Sequence, residues 1–321
     1  MGLGRLLLLV AGLASIAYMM SLTGLAALLE PVRTLSWRIV PVLLLPYAAV
    51  ALLHTAAWRV LFTHAPVSLR RLFAVRLAGE ALNLGSASVG GEPVKVYLLR
   101  PAVPLAEASA AQVVDKTTIT LGQVLFLAAG LAVTFAAFDA PADFLRAMTL
   151  LLGVQVGAVA GFVMVQCIGL GGWALRLLRR LGLANGEGRA SGLARFDATL
   201  AASYRERWGA VAASTLVHLL GWLAGSLEVY LVLRWLGVET SLTAALAIDA
   251  FGTGIKFLAF AIPGALGVLE GGYMLVFGVF GLGSGLGLSF TLVRRLRMLL
   301  WSGAGLLILA WMRAAPVAAR Q

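Results

Sequence analysis

The chain has 321 residues, 61% of them hydrophobic and 12% charged, with a net charge of +11 and a mean hydropathy of +0.95. Soluble domains are about 45–50% apolar and about 25% charged, so this composition excludes an ordinary soluble protein and predicts an all-α protein that crosses the membrane several times. Nucleic acid is excluded as a partner despite the positive charge, because the cations fall mainly in short loops between apolar runs, where they orient a membrane protein.

A helix needs about 20 apolar residues to cross the hydrocarbon. The first such run, 5–29, carries one charge, Arg5, before Glu30. Its apolar stretch is longer than a signal-peptide core and no small-x-small site closes it, so it is read as a retained span. A second span follows at 39–62. Region 70–100 is apolar but interrupted by SVGGEPVK; it is expected to enter and leave on one side as two half-helices. Spans 113–138 and 145–175 come next. Within the latter, Gly153, Gly157 and Gly161 stack two GxxxG steps, which predict close helix packing.

In the loop 176–207, Leu193, Phe196, Leu200 and Tyr204 recur at spacings of three or four among Arg195, Arg205 and Arg207. That pattern fits a helix lying on an anionic inner leaflet or a plain solvated loop. After a span at 208–236, region 241–282 is broken by AIPGALGVLEGGY, which repeats the glycine, proline and glutamate ingredients of the first break. A last span covers 285–313. The whole is read as a single integral membrane domain of six full spans plus two oppositely inserted re-entrant hairpins. Paired interrupted segments in two halves of opposite orientation point to an inverted-repeat transporter.

With the N-terminus inside, seventeen Lys and Arg residues fall on the inner side and four on the outer. This bias predicts cytoplasmic N- and C-termini in a bacterial-type inner membrane. Cys167 is the single cysteine, which leaves no internal disulfide.

Ionisable residues inside membrane segments cost about 2.5–3.5 kcal/mol each at the centre of a span, so they are expected to pair, snorkel or line a wet cavity. Arg76, Glu80 and Asn83 share a helical face leading to the first break. Gly90, Gly91, Glu92 and Lys95 form that break. Asp249 and Lys256 share a face with Thr253 leading to the second, where Pro263, Gly264 and Glu270 lie. Arg294 and Arg297 share a face of the last span, with Arg295 turned away by about 100°. Guanidiniums within one turn suit a phosphate or carboxylate, and half-helices starting after Gly91 and Gly264 are expected to add exposed N–H groups and positive dipole ends. These residues are the expected substrate site. Structural alternatives stand beside it: a self-satisfying Arg76–Glu80 pair, Glu92 and Glu270 as caps of the hairpin turns, and the arginine triplet as the end of a shortened span. Asp115–Lys116 reads most simply as an anchor at the inner interface.

The segments GEALNLGSASVGGEPVKVYLL (79–99), VVDKTTITLGQVLF (113–126) and IPGALGVLEGGY (262–273) resemble the lysylphosphatidylglycerol synthase transmembrane family, also called flippase-like, over essentially the whole chain. The resemblance implies a lipid-flipping membrane domain, and it carries over the glycine, glutamate and arginine positions above. The best-known members join this domain to a soluble aminoacyl transferase. Here the chain stops at Gln321, so lysine transfer is not expected. Relatives lacking that domain imply polyprenyl-linked glycan or hopanoid pathways.

The expected function is therefore a lipid translocator for an amphiphile with an anionic or phosphate-bearing head group. No Walker A motif is present, so movement is downhill or coupled to an ion or proton, with Glu92, Asp249 and Glu270 as candidate protonation sites. An alternative is a membrane enzyme acting on lipid head groups; His54, His64 and His218 are scattered without HExxH spacing, and no catalytic residue, metal site or cofactor is expected. A third reading is an accessory subunit that recruits a cytoplasmic lipid-modifying enzyme through 176–207. Membrane lipids are the expected partners.

Overall fold

The computed structural model describes residues 33–63, 67–83, 90–169, 187–259, 262–265 and 267–314, with 21, 172 and 180 singly. The expected first span at 5–29 lies outside the described residues apart from Ser21, as do 84–89 of the first break and most of 170–186.

Among the described residues the chain forms ten α-helices and no strand: α1 (Ile39–Arg59), α2 (Leu69–Asn83), α3 (Gly91–Leu99), α4 (Leu105–Ala137), α5 (Ala142–Ile168), α6 (Glu187–Arg205), α7 (Trp208–Trp235), α8 (Leu242–Leu258), α9 (Val268–Val279) and α10 (Ser284–Ala314). Four of these, α1 with its leading turn, α4, α5 and α7, are long and apolar enough to cross a membrane. They coincide with four of the expected spans. Helix α10, with 31 residues, has the length for a crossing but carries Arg294, Arg295 and Arg297.

The helix ends have local causes. Prolines 104 and 141 precede α4 and α5 with extended backbone, their ordinary place at a helix start. Helices α7 and α9 end in left-handed Gly237 and Gly281. The next N–H turns back in each case, Val238 to the Leu233 carbonyl and Leu282 to that of Phe277, both at 2.9 Å, which is the Schellman closure. Pro46 lies inside α1 and removes one N–H from its ladder. One turn earlier, the Leu43 carbonyl accepts from Trp301 Nε1 at 2.8 Å, tying α10 to the loosened turn.

Both interrupted regions fold back on themselves. In the first, Gly79 of α2 faces Lys95 of α3, and Asn83 faces Gly91. In the second, Gly252 of α8 faces Tyr273 of α9, and Ile255 faces Gly272. In each pairing one index falls as the other rises, so both are antiparallel helical hairpins. The contacts are made by glycine: a Cβ on Gly91 would collide with the Gly79 carbonyl, and one on Gly252 with the Tyr273 ring.

Helix α7 packs on α1, α4 and α8, while α10 packs on α2 and α9. One apolar cluster includes Leu127, Phe144, Phe251, Phe277 and Phe290. A second gathers Trp58, Leu72, Val75, Leu99 and Val114. Polar side chains occupy the region between them.

Two expectations need correction. The amphipathic stretch in 176–207 is no plain solvated loop. It is α6, whose Leu200 is fully buried in the second cluster and whose Tyr204 donates to Gln166 of α5 at 2.6 Å. Gln166 in turn donates to Thr117 of α4 at 3.0 Å. The GxxxG steps of α5, by contrast, make no close packing within the described residues, since a Cβ on Gly153, Gly157 or Gly161 would meet nothing within 4 Å.

Candidate functional site

Helix α10 crosses the polar region and distributes its three arginines. Arg294 reaches Asp249 of α8 at 2.5 Å and donates to the Tyr273 hydroxyl of α9, which itself donates to Asp249 at 2.9 Å. Glu228 of α7 lies 3.0 Å from Arg294 Nε and also pairs with Arg297. Arg297 sits 5.0 Å above the Tyr47 ring of α1. Arg295, on the other face, takes both carboxylate oxygens of Glu270 at 2.7 and 2.9 Å and the carbonyls of Gly264 and Ala265. Those carbonyls belong to the turn of the second hairpin, where Gly264, Ala265 and Gly267 all have positive φ. A left-handed alanine is uncommon, and Arg295 holds it by gripping the backbone.

The first hairpin is tied down differently. Asn83 accepts from the Gly91 N–H at 2.7 Å and donates to Glu92 at 3.1 Å. Glu92 is paired with Lys95 at 3.3 Å and Lys116 at 2.8 Å, and accepts from Gln112 at 2.6 Å. Beside it, Arg76 directs one nitrogen to both oxygens of Asp115 at 3.1 Å and another to Glu80 at 3.4 Å. Tyr47 donates to Glu80 at 2.8 Å.

These groups surround a cavity of about 290 Å³ between the two hairpins and α10. Glu80, Asn83, Lys116, Lys256, Arg294 and Arg297 line its polar side, with Gly264 and Ala265 of the second turn, and Tyr47, Leu77, Leu269, Met298 and Trp301 add apolar wall. Six cations around it, Arg76, Lys95, Lys116, Arg294, Arg295 and Arg297, are each paired with one or more of Glu80, Glu92, Asp115, Glu228, Asp249 and Glu270. Lys256 is exposed, lines the cavity and has no carboxylate partner among the described residues. Six carboxylates face seven cations, and the surplus charge sits on Lys256. A separate hollow of about 340 Å³ near Asp139 and Glu239 gathers none of the expected site residues.

Of the expected residues, Glu80, Asn83, Lys256, Gly264, Arg294 and Arg297 line the cavity. Arg76, Gly91, Glu92, Lys95, Asp249 and Glu270 form the bonded layer around it. Gly90 is exposed, and Pro263 opens the turn that contains Gly264. Free half-helix N-termini are a correction. Gly91 N–H is taken by Asn83, and Gly267 N–H at the start of α9 is taken by Glu270 at 2.9 Å. Glu92 and Glu270 stand in the first turns of α3 and α9 and already meet the positive dipole ends.

The sequence reading also missed partners. Asp115, read from the sequence simply as an anchor, is 1% exposed and holds both Arg76 and His218. Glu228, to which the sequence reading gave no role, pairs with Arg294 and Arg297. His54 and His218, 164 positions apart, have their Nδ1 atoms 2.8 Å from each other. Buried partners lying opposite one another on α1, α4 and α7 leave no signal of spacing.

The family model for the lysylphosphatidylglycerol synthase TM region matches residues 5–305. No curated protein and no solved structure gives a significant match.

Proposed function

Because the chain belongs to the lysylphosphatidylglycerol synthase transmembrane family and is a multi-pass helical membrane protein, we propose that it moves an amphiphile with an anionic, phosphate-bearing head group between leaflets. The observation that carries this is the cavity between the hairpins, with Lys256, which has no carboxylate partner among the described residues. Its volume is close to the lower end of small-ligand pockets, about 300 Å³, so it suits a head group while the tails stay in lipid. Lys256 supplies the net charge; Arg294 and Arg297 supply oriented N–H groups held in place by Asp249 and Glu228. The task assigned is transport and not head-group chemistry.

In this reading the hairpins are re-entrant. Helices α2, α3, α8 and α9 have 15, 9, 17 and 12 residues. At 1.5 Å per residue they reach about 22, 14, 26 and 18 Å, short of a hydrocarbon core about 30 Å thick. The α2–α3 hairpin enters from the cytoplasm and α8–α9 from outside, in an inner membrane with both termini inside. Each hairpin carries a latch: Glu92 with Lys95 and Lys116, and Glu270 with Arg295. Rocking of the hairpin-bearing halves opens the cavity to one leaflet and then the other.

The test is leaflet exchange in liposomes containing the purified protein and head-group-labelled lipids. Exchange of phosphate-bearing anionic lipids faster than in protein-free vesicles supports the proposal. Rates equal to protein-free vesicles across a broad head-group panel overturn it.

A further inference from the structure

We propose that His54 and His218 form a proton-binding pair whose protonation is transmitted to the wall of the cavity, so that a proton gradient drives the movement of lipid. The coupling to lipid rests on the reading above; the proton site does not.

The pair is built by close helix approach. Gly122 of α4 lets α7 come near enough that a Cβ there would lie 3.0 Å from Leu219 N and 3.1 Å from His218 Cβ. Gly221 of α7 leaves room for the His54 ring, which a Cβ would meet at 2.6 Å. Trp222 lies across that ring at a T-shaped 5.5 Å. Within this enclosure His54 Nδ1 and His218 Nδ1 are 2.8 Å apart, and His218 Nε2 is 3.1 Å from Asp115. Asp115 is held as a carboxylate by Arg76.

That arrangement assigns every proton by hydrogen-bonding logic. Facing a carboxylate, His218 Nε2 carries hydrogen and donates. His218 Nδ1 is then a lone pair and accepts from His54 Nδ1–H, which leaves the lone pair of His54 on Nε2. No described group bonds that nitrogen, and His54 keeps 7% of its surface.

An arriving proton bonds His54 Nε2. The Nδ1–H bond of His54 breaks as an N–H forms on His218 Nδ1, which leaves His54 neutral and His218 an imidazolium whose Nε2–H still donates to Asp115. One proton is gained and no electrons move; release reverses the steps. With His218 charged, Asp115 divides between His218 and Arg76, and Arg76 leans on the His54 carbonyl at 2.9 Å and Glu80 at 3.4 Å. Glu80 lines the cavity and holds Tyr47, so the proton load reaches the wall as a redirected guanidinium.

The groups facing the pair are Arg76 and Glu80 from α2, and Asp115 and Lys116 from α4. Tyr47 lies two turns earlier on α1. Beyond them, Asp249 of α8 and Arg294 and Arg297 of α10 are engaged with one another or with Glu228. The carboxylates first expected to titrate, Glu92, Asp249 and Glu270, are each bound to a cation, whereas the imidazole pair accepts a proton without first breaking an ion pair.

Two measurements separate the claims. In ¹⁵N-histidine-labelled protein in lipid nanodiscs, His54 and His218 should titrate as a coupled pair when the pH is lowered through and below the ordinary histidine range of about 5–8, and His54→Gln should shift the His218 signals. Constant protonation of both throughout overturns the proposal. In proteoliposomes, an imposed gradient of about one pH unit, up to tenfold in proton activity, should accelerate lipid exchange several-fold. His218→Gln and His54→Gln should each bring the ratio of rates with and without the gradient to about one. A full response in both variants overturns the coupling. If the wild-type protein exchanges no lipid, the translocator reading fails while the histidine titration still decides the proton site.

Discussion

Lys256 is the residue on which binding most depends, because every other cation at the cavity is paired with a carboxylate. Lys256→Gln is expected to lower lipid exchange at least tenfold, equivalent to about 1.4 kcal/mol of lost interaction. Its stability should stay within about 0.5 kcal/mol, as for an exposed group without partners; a thermal midpoint taken beside the exchange assay checks both. Arg294 behaves differently. Removing it strands Asp249, 1% exposed, so Arg294→Ala should cost about 3–5 kcal/mol of stability. Adding Asp249→Leu to Arg294→Met should recover most of that in a chemical-unfolding titration. The sequence made Arg294 and Asp249 visible as charges where lipid rejects them. It gave no means of pairing them, since one lies before the second break and the other on the helix after it.

Among the elements, the hairpins were legible because glycine and proline interrupt runs too short to cross twice. What the glycines do was not. Gly90 and Gly91 are not left-handed: Gly90 has φ −64° as the cap of α3, and Gly91 serves close approach to Gly79. Gly91→Ala should therefore destabilise the protein by about 1–3 kcal/mol through overpacking. Gly157→Ala on α5, with nothing within 4 Å, should change stability by no more than about 0.5 kcal/mol. Parallel unfolding titrations of the two variants check the contrast. The period of Leu193, Phe196, Leu200 and Tyr204 marked α6 as amphipathic. Its partner surface on α4 and α5 was invisible, because a helical face reads the same against protein as against a leaflet.

At the scale of the whole molecule, composition gave the membrane class, and the charge bias predicts an orientation. Reporter fusions at residues 1 and 321 should both report the cytoplasm; opposite sides would remove the inverted arrangement of the hairpins. The central cavity was only partly legible. Its rim residues announce themselves as polar groups in apolar runs, whereas its enclosure comes from the two hairpins and α10, with Tyr47 of α1 and Lys116 of α4, bringing distant positions together. The account rests on head groups passing through that cavity. The most direct measurement places one thiol in its wall, Met298→Cys with Cys167→Ser, and compares exchange after small and bulky thiol reagents. The account predicts that a methylthio group is tolerated and that a bulky charged adduct stops exchange. Full modification by the bulky reagent with exchange unchanged would contradict it.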